Sequence, residues 1–544
     1  MQTWSYHTDL TGLDSIDDII QVLLASRGLT DSSQLTSYFT PKHPKDWDWS
    51  DYGISPDQIN QLQNLLSQHR TDPILIYGDY DVDGLCATTI LTQTLQQQGY
   101  HIIPYIPSRS QDGYGLNLKT IQRLHQQFNF TTVITIDNGI TAHPAIDWLN
   151  QHHLATIIID HHQTDQPPSA DLIINNTDIC GSALAWGIAR QLTDQAAFLE
   201  PQLQLTAMAT VCDVMPLTQL NRALVWHGLR AIKHQPHPAI TTLCQVADLD
   251  PLDIDAYHFG FVLGPRLNAA GRLDDVTPAF ELLTTDQPSL RQQYVHTLDQ
   301  LNQQRQLITE AGIQSALQHI DHQQPLISLY LPELEEGIIG LVAGKLTQKY
   351  YRPSIVATQS GEVIKASCRS IKTIDITQLL KAAYPDFTSV GGHSQAAGFS
   401  LPSTNWDTFQ THISDYANQH IQPDDLIPQY QADGQLQLDQ ISLSLINAIN
   451  LLQPFGMGNP KPIFISHSIK PTTVKIIGKQ ATHLKLTIPT AQGNLDALAW
   501  NAADRLSEIK QSAQLNIAYT LDINTWNGNS KPQLHLKDFW ATNQ

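Results

Sequence analysis

The chain has 544 residues, of which 41% are hydrophobic and 15% charged, with 31 lysines and arginines against 51 acids and a formal net charge of −20 at pH 7. That length allows several domains, each with an ample core, and the acidic balance excludes a broad basic face that coats duplex nucleic acid. The five cysteines form no Cys-x-x-Cys pair, the N-terminus lacks a basic start and apolar core, and no apolar run nears the roughly 20 residues that span a bilayer. No structural zinc, disulfide framework, signal peptide or membrane span is expected, and the expected location is cytoplasmic.

Residues 1–70 read as polar and helical, ending in the amphipathic PDQINQLQNLLSQH. Residues 73–79 form a first strand, and Gly84 opens a helix, GLCATTILTQTLQQQG, that Gly99 closes. A strand over YHIIPYIP (100–107) leads to a turn-rich loop, SRSQDGYGLN (108–117), which carries Arg109. A helix, a strand ending in Asp137, a second helix and a strand ending in Asp160 follow. Apolar β-branched runs of this length suit strands buried on both faces, and their alternation with helices specifies a parallel sheet with right-handed crossovers. ADLIINN (170–176) adds a strand, and a helix-rich stretch runs to about 320. It holds ATVCDVMPL (209–217), with Asp213, and LGPRLNAAGRLDD (263–275), with Arg266 and Arg272 around Asn268. Residues 288–318 read as a long Gln-rich helix bridging to a second domain.

That domain starts near PLISLYLP (325–332) and continues as a helix over 335–350 and strands over 353–358 and 362–370. SVGGHSQAAGFSLP (389–402) reads as a Gly-rich turn, a helix start and a strand, and a helix over 404–421 follows. From about 428 the pattern becomes β, including ISLSLINAINLLQPFGMGNPKPIF, and short alternating strands with turns fit a small barrel of the OB type. The expected architecture is an N-terminal helical segment (1–70), an α/β parallel-sheet domain (71–287), a connecting helix (288–320), a second α/β domain (321–425) and an OB-like β-barrel (426–544).

Three apolar runs end abruptly in acids or histidines. Ile74, Leu75 and Ile76 precede Asp79, Asp81 and Asp83; Val133, Ile134 and Ile136 precede Asp137; Ile157, Ile158 and Ile159 precede Asp160, His161 and His162. Ligands of open α/β sheets bind beyond the carboxyl ends of the strands, so these groups are delivered to one edge. Each acid alone reads equally well as a strand-end turn residue or a helix N-cap. Together they cannot share a small space without cations, because close like charges raise one another's pKa. Carboxylates with a few imidazoles and no thiolates suit Mn²⁺ or Mg²⁺. Two such ions about 3.5–4 Å apart form the clamp used for phosphoryl displacement.

A second constellation lies downstream. Arg369 and Ser370 end a strand, and Gly391, Gly392 and His393 form a backbone-exposing turn before small residues. A Gly-Gly turn leading into a helix offers N–H groups to an anion, and arginine offers phosphate a bidentate fork. By themselves these residues read as a flexible loop beside a surface arginine. With a metal clamp in the same chain they read as the cationic cradle that a phosphodiester substrate requires.

GDYDVDG, TIDNG, IIDHH and DVMPL, in that order, resemble the four motifs of the DHH-family phosphoesterases, and ASCRS and GGHSQAAGFS resemble the associated DHHA1 domain. RLNAAGRL and PFGMGNPKPIF (454–464) make the chain similar to the bacterial single-strand-specific 5′→3′ exodeoxyribonucleases of that family, from about residue 70 onward. The resemblance implies DHH and DHHA1 domains joined by a long helix, an active site in the cleft between them, and an OB module that binds single-stranded DNA. It implies that Asp81, Asp83, Asp137, His161 and Asp213 hold two Mn²⁺ or Mg²⁺ ions, with Asp137 as the bridge, and that these ions activate water and stabilise developing charge. His162 then orients a ligand or shuttles a proton, and Asp160 fixes a histidine tautomer. Arg369, Ser370 and His393, with Gly391 and Gly392, hold phosphates from the DHHA1 side, and Arg109 and Arg272 are further phosphate contacts. Related manganese pyrophosphatases place a histidine four positions before the first ligand Asp. Here that position is Tyr77, so Asp79 or water is expected to complete the first metal site.

The implied function is metal-dependent 5′→3′ hydrolysis of single-stranded DNA in repair and recombination. A single-stranded-DNA-binding protein and a repair helicase are the implied partners, with no membrane, and the implied chain is monomeric. A small-oligonucleotide phosphodiesterase and a catalytically inactive DNA-binding scaffold are the competing readings. The length and the C-terminal β module disfavour the first, and the presence of all five ligands disfavours the second. With so few basic residues, stacking on bases is expected to supply part of the affinity, at about 1–3 kcal/mol per base, with Trp500, Trp526 and Trp540 available.

Overall fold

A computed structural model of the chain describes residues 3–542 apart from positions 14, 110, 114 and 274. It divides into two compact units, one running from His43 to Ile427 and the other made of the residues up to Lys42 together with those from Pro428. None of the helices among the described residues is long and apolar enough to cross a membrane.

The larger unit is built on two five-stranded sheets. The first is all parallel, in the order His101–Tyr105, Pro73–Tyr77, Thr132–Ile136, Ala155–Asp160, Leu172–Asn175. Strand alternation sorts its apolar residues into two cores. Ile74, Ile76, Ile134, Ile136, Ile157 and Ile159 face the helices Val82–Gln97 and Gly181–Leu192. Leu75, Tyr77, Val133 and Ile158 face the helices Leu118–Phe128 and His143–Gln151. Both faces are covered, which is why these strands read as continuous apolar runs rather than alternating ones.

The second sheet has the order Ser389–His393, Ala396–Pro402, Val363–Arg369, Ser354–Ser360, Ile327–Tyr330. Only its last pair is parallel. The helix Glu336–Tyr350 packs on one face and Ile376–Ala383 and Trp406–His420 on the other. The helix Pro288–Leu317, about 45 Å long at 1.5 Å per residue, joins the two lobes. Val295 and Leu298 near its start belong to the first core, and Ala316 near its end packs with Ile338 and Val342. The lobes also meet directly. A Cβ on Gly337 would clash with the Arg272 backbone carbonyl, so only glycine fits where that helix start meets the first lobe.

The sequence expectation for 389–402 is corrected here. Residues 389–393 and 396–402 form a β-hairpin, so Gly391, Gly392 and His393 sit on an edge strand and no helix begins there. Small residues suit a tight hairpin as well as a helix start, and pairing with Val363–Arg369 decides for the hairpin.

The smaller unit is one eight-stranded sheet around a main core, with a small second cluster of Ala432, Ile465 and Ala518 under Trp4 and Trp540, in the order Thr3–Asp9, Gln429–Gln435, Phe464–Ile469, Leu515–Trp526, Asn529–Ala541, Gly493–Ala499, His483–Thr490, Thr473–Ile477. Two expectations change. Residues 1–70 are not one helical segment leading into the first sheet. Thr3–Asp9 is a strand paired in parallel with Gln429–Gln435, and the helices Ile16–Ala25 and Ser32–Phe39 pack into the barrel core. Nothing local in the sequence announces a partner more than 400 residues away. Residues 443–450, read as β, form a helix capped by Ser442, whose Oγ accepts the Leu445 N–H at 3.1 Å. The run LSLINAIN is apolar enough for either element, and burial of Leu445, Ile446 and Ile449 on one face fixes it as helix.

The N-terminal strand is held by side chains as well as by its ladder. Trp4 Nε1 donates to Asp538 Oδ2 at 2.9 Å, and its ring stacks on Tyr430 at 4.8 Å and lies parallel to Trp540 at 6.3 Å. Arg27 donates to Asn459, Asp433, Leu23 and Pro460, tying the first helix to the 454–460 loop. Trp4→Ala is expected to destabilise this unit by about 2 kcal/mol through lost ring contact and an unpaired buried acceptor. Hydrogen exchange across 464–541 reads this out, and unchanged protection would show that the strand is an ornament of the barrel rather than part of it.

Candidate metal centre

Four elements end at one place. Pro73–Tyr77 runs into Asp79, Thr132–Ile136 into Asp137, and Ala155–Asp160 into His161 and His162. The helix Ala196–Cys212 is C-capped by Asp213. Asp81 N-caps the helix Val82–Gln97, its Oδ1 accepting the Gly84 N–H at 3.0 Å. His161 Nε2 lies 3.1 Å from Asp137 Oδ1, 3.7 Å from Asp213 Oδ2 and 3.8 Å from Asp83 Oδ2. Three overlapping groups have ligand atoms close enough to hold an ion: Asp79, Asp81 and Asp137; Asp83, His161 and Asp213; and Asp137, His161 and His162.

Asp137 links these groups. Its backbone is left-handed, at φ +63°, a strained conformation for a residue with a Cβ. The strain is held by its N–H bond to Ile159 O at 3.0 Å. Its Oδ1 is buried and, although His161 Nε2 stands 3.1 Å away, receives no well-directed hydrogen bond. A buried carboxylate oxygen left in this state fits a cation, and an all-oxygen and imidazole donor set fits Mn²⁺ or Mg²⁺.

Asp83 is anchored differently. Its two oxygens accept the N–H groups of Gly181 at 2.6 Å and Ser182 at 2.8 Å, and Ser182 Oγ donates to its backbone carbonyl at 2.9 Å. These are the first residues of the helix Gly181–Leu192, so a helix N-terminus faces the carboxylate cluster and offsets part of its charge. A Cβ on Gly181 would stand 2.8 Å from the Asp137 Cβ, so the helix can approach this closely only with glycine there. Sequence reading passed over Gly181 and Ser182. The small pair before an apolar run is a usable helix-start signal, but its partner Asp83 lies about a hundred residues upstream.

Asp160 and His162 form a separate arrangement. Asp160 Oδ1 accepts from the His161 and His162 N–H groups and lies 2.7 Å from His162 Nδ1, while Oδ2 accepts the Ile140 N–H at 3.0 Å. Burial would push the Asp160 carboxyl up, but the His162 hydrogen bond and charge outweigh it and hold it below its ordinary value. Burial would lower His162, but its bond to Asp160 and the surrounding carboxylates push it up to about 9. The four carboxyls around the cavity move the other way. Burial first, then mutual repulsion, raises Asp81 and Asp137, and pushes Asp79 up to about 7 and Asp213 to about 8.

The arginines meet from both lobes. Arg109 holds its guanidinium 4.5 Å over the Tyr80 ring. Arg272 donates to Gly337 O at 3.2 Å. Arg369 donates to Ser367 Oγ and Cys368 O. Burial, reinforced by Arg109, Arg305 and Arg369, lowers Arg272 to about 10. None of these four forms an ion pair among the described residues, so their guanidiniums are gathered without a carboxylate in direct contact. Arg305, on the long helix and bonded to Asn302, was not singled out from the sequence because QQRQ carries no local signal. Ser370 uses its hydroxyl on Ile374 O at 2.8 Å. His393 pairs with Ala396, which pairs with Arg369, so His393 lies two strands from Arg369 in one row across the sheet. Tyr77 is fully buried and its hydroxyl donates to Gly115 O, away from the carboxylates.

Residues 73–214 match the DHH family N-terminal domain, 323–419 the DHHA1 domain, and 432–538 the RecJ OB domain. The chain is 31% identical over 524 residues to the single-stranded-DNA-specific exonuclease RecJ of Haemophilus influenzae, covering 88% of this chain and 91% of that one. Its fold matches the crystal structure of RecJ in complex with Mn²⁺ from Thermus thermophilus with a TM-score of 0.83 at 24% identity, over 99% of this chain and 80% of that one. A crystal structure of exonuclease RecJ bound to manganese matches with a TM-score of 0.59 at 29% identity, over 68% of this chain and 95% of that one.

The raised carboxyls have a thermodynamic consequence. Asp79 and Asp213 keep protons in the folded, metal-free chain up to about pH 7 and 8, whereas unfolded aspartates lose them near pH 3.9. That contribution to stability is therefore intact below about pH 4 and is lost as pH rises through 7 to 8. The metal-free chain is expected to melt lower at pH 8.5 than at pH 6, and Mn²⁺ at 100 times its pH 8.5 Kd to restore about 2.7 kcal/mol at pH 8.5, with a smaller gain from the same Mn²⁺ concentration at pH 6. Calorimetry in chelator and in Mn²⁺ checks this; equal melting at both pH values would contradict the crowding of these carboxyls.

Proposed function

Because the chain belongs to the RecJ family of single-stranded-DNA-specific exonucleases, we propose that it hydrolyses single-stranded DNA from the 5′ end using two divalent ions, Mn²⁺ or Mg²⁺, in repair and recombination. The observation that carries the reading is the convergence of Asp79, Asp81, Asp83, Asp137, His161 and Asp213 opposite four unpaired guanidiniums in the same unit. The 5′ polarity follows the motif resemblance. A single-stranded-DNA-binding protein and a repair helicase as partners, and a monomeric chain, follow the same resemblance. Five unpaired cysteines support a reducing, cytoplasmic compartment.

Asp81, Asp83, Asp137, His161 and Asp213 would hold the ions, and Asp79 would add a carboxylate where Tyr77 stands in place of a histidine. When bound, the ions supply water activation and charge stabilisation at the scissile phosphate. Asp160 holds the His162 ring through Nδ1, and His162 donates a proton to the departing oxygen. Arg109, Arg272, Arg305 and Arg369 bind the phosphates, with Ser370, Gly391, Gly392 and His393 completing the second lobe's side. Single-stranded DNA labelled at either end, digested with Mn²⁺, with Mg²⁺ and with chelator, tests the reading. Metal-dependent release of mononucleotides from the 5′ end is expected, and Asp137→Ala is expected to lower the rate on the order of 10³-fold. Cleavage confined to dinucleotides would move the chain to the small phosphodiesterases, and binding without cleavage would make it a scaffold.

In the barrel unit we assign base stacking to Trp500. Residues 461–540 carry nine of the chain's 31 lysines and arginines but five of its 51 acids. On the outer face Lys475 pairs with Lys485, Lys485 with Leu498 and Leu498 with His535. Lys485 Nζ is ion-paired with Asp496 Oδ2 at 2.8 Å, so of these two lysines Lys475 is the one whose charge is left for an anion. Trp500 is half exposed at the end of that row, with His483 and His535 against its edges. Trp540 is used in packing Trp4, and Trp526 stands at a hairpin tip. Trp500→Ala is expected to weaken single-strand binding by about 1–3 kcal/mol with little change in melting, and Trp540→Ala to do the reverse. Fluorescence anisotropy and melting of the two variants separate the roles.

A further inference from the structure

The 108–117 loop is held at four points by groups outside the metal cluster. Asp112 is almost fully buried and accepts from Tyr105 OH at 2.7 Å, Thr120 Oγ1 at 2.7 Å, the Ser108 N–H at 2.9 Å and Arg123 Nη2 at 3.3 Å. The Asp112 N–H returns a bond to Ser108 O at 2.8 Å, closing the turn that contains Arg109. Further along, Tyr77 OH donates to Gly115 O at 3.2 Å, and its ring packs on Tyr105 at 5.3 Å. Two adjacent strand ends, Tyr77 and Tyr105, thus hold the loop from the core side.

What the loop carries explains why it is held. Arg109 is near enough to act on the charge of Asp79 yet forms no ion pair with it; its guanidinium lies over Tyr80, and its Nε is buried without a hydrogen-bond partner. A mobile arginine beside that many carboxylates would fold onto them. A fixed one keeps its donors for a ligand, and the rotamer entropy of about 2 kcal/mol is lost before binding rather than during it.

We propose that Asp112 and Tyr77 are positioning residues that hold the loop so that Arg109 meets a substrate phosphate instead of the carboxylates beside it. The inference rests on Arg109 being a phosphate contact. Asp112→Asn leaves one acceptor oxygen and sets an amide against two donors, so the turn loses its fixed geometry. Tyr77→Phe keeps the ring and removes only the bond to Gly115.

The test uses the full chain in chelator and a labelled single-stranded oligonucleotide, with log Kd measured against log salt. Arg109→Ala is expected to reduce the slope by about 0.7, the loss of one phosphate contact on a single strand, and to raise Kd about tenfold. Asp112→Asn is expected to reproduce most of both effects, and Tyr77→Phe to move both in the same direction by less. With Mn²⁺, Asp112→Asn and Tyr77→Phe are expected to raise KM and to leave kcat within about twofold of the unaltered chain. Variants that melt lower but keep the original slope and KM would overturn the positioning role. If Arg109→Ala itself leaves the slope unchanged, the phosphate assignment fails and takes this inference with it. Should Asp112→Asn not fold, Tyr77→Phe alone decides.

Discussion

Mutual repulsion among buried carboxylates is the constraint from which the rest of this structure follows. Asp79, Asp81, Asp83, Asp137 and Asp213 converge in a largely buried space, and burial with like charge raises four of them, Asp79, Asp137 and Asp213 well above their ordinary range. Such a cluster persists only where the scaffold is rigid and cations complete it. The parallel sheet supplies the rigidity, since strands buried on both faces cannot shift without opening two cores. The helix N-terminus at Gly181 supplies a partial positive charge to Asp83. Divalent ions supply what remains, and the donor set suits Mn²⁺ or Mg²⁺.

The same constraint shapes the arginine cluster. On the proposed reading, guanidiniums that paired with the carboxylates would neutralise the metal site and have no charge left for phosphates. Here Arg272 is fixed on the Gly337 carbonyl, Arg369 on its own strand, Arg305 on Asn302 and Arg109 on an aromatic face. Each is held by a neutral partner, so its charge stays available. One helix, Pro288–Leu317, and a close glycine contact at Gly337 bring Arg305 and Arg369 to Arg109 and Arg272, which share the first lobe with the carboxylates.

The barrel unit answers a different electrostatic problem. A chain of net charge −20 repels DNA at long range. On the proposed reading, the excess of lysines and arginines over acids in residues 461–540, with Trp500 half exposed there, restores a local attraction that the overall balance denies. Stacking is insensitive to base identity and to net charge, which suits an enzyme that must track any sequence.

The sequence by itself determined the first sheet and the acids at its edge. Continuous apolar runs ending in Asp79, Asp137 and Asp160 have one stable arrangement in a βαβ series, and the carboxyl ends of adjacent parallel strands must lie together. The long helix was legible for the same reason, because a thirty-residue helical period needs no partner to declare itself. Tertiary structure alone decided what depends on distant pairing. The strand at Thr3–Asp9 exists through Gln429–Gln435, the hairpin at 389–402 through Val363–Arg369, and the helix at 443–450 through the barrel core. In the site, Arg305 and Gly181 gain their places only when helices far apart in the chain pack together. Tyr77 looked like a missing ligand and became a loop anchor, because its hydroxyl faces Gly115 rather than the acids. Local patterns fix periodicity and strand ends; which side chain faces which is set by packing between segments that the chain keeps far apart.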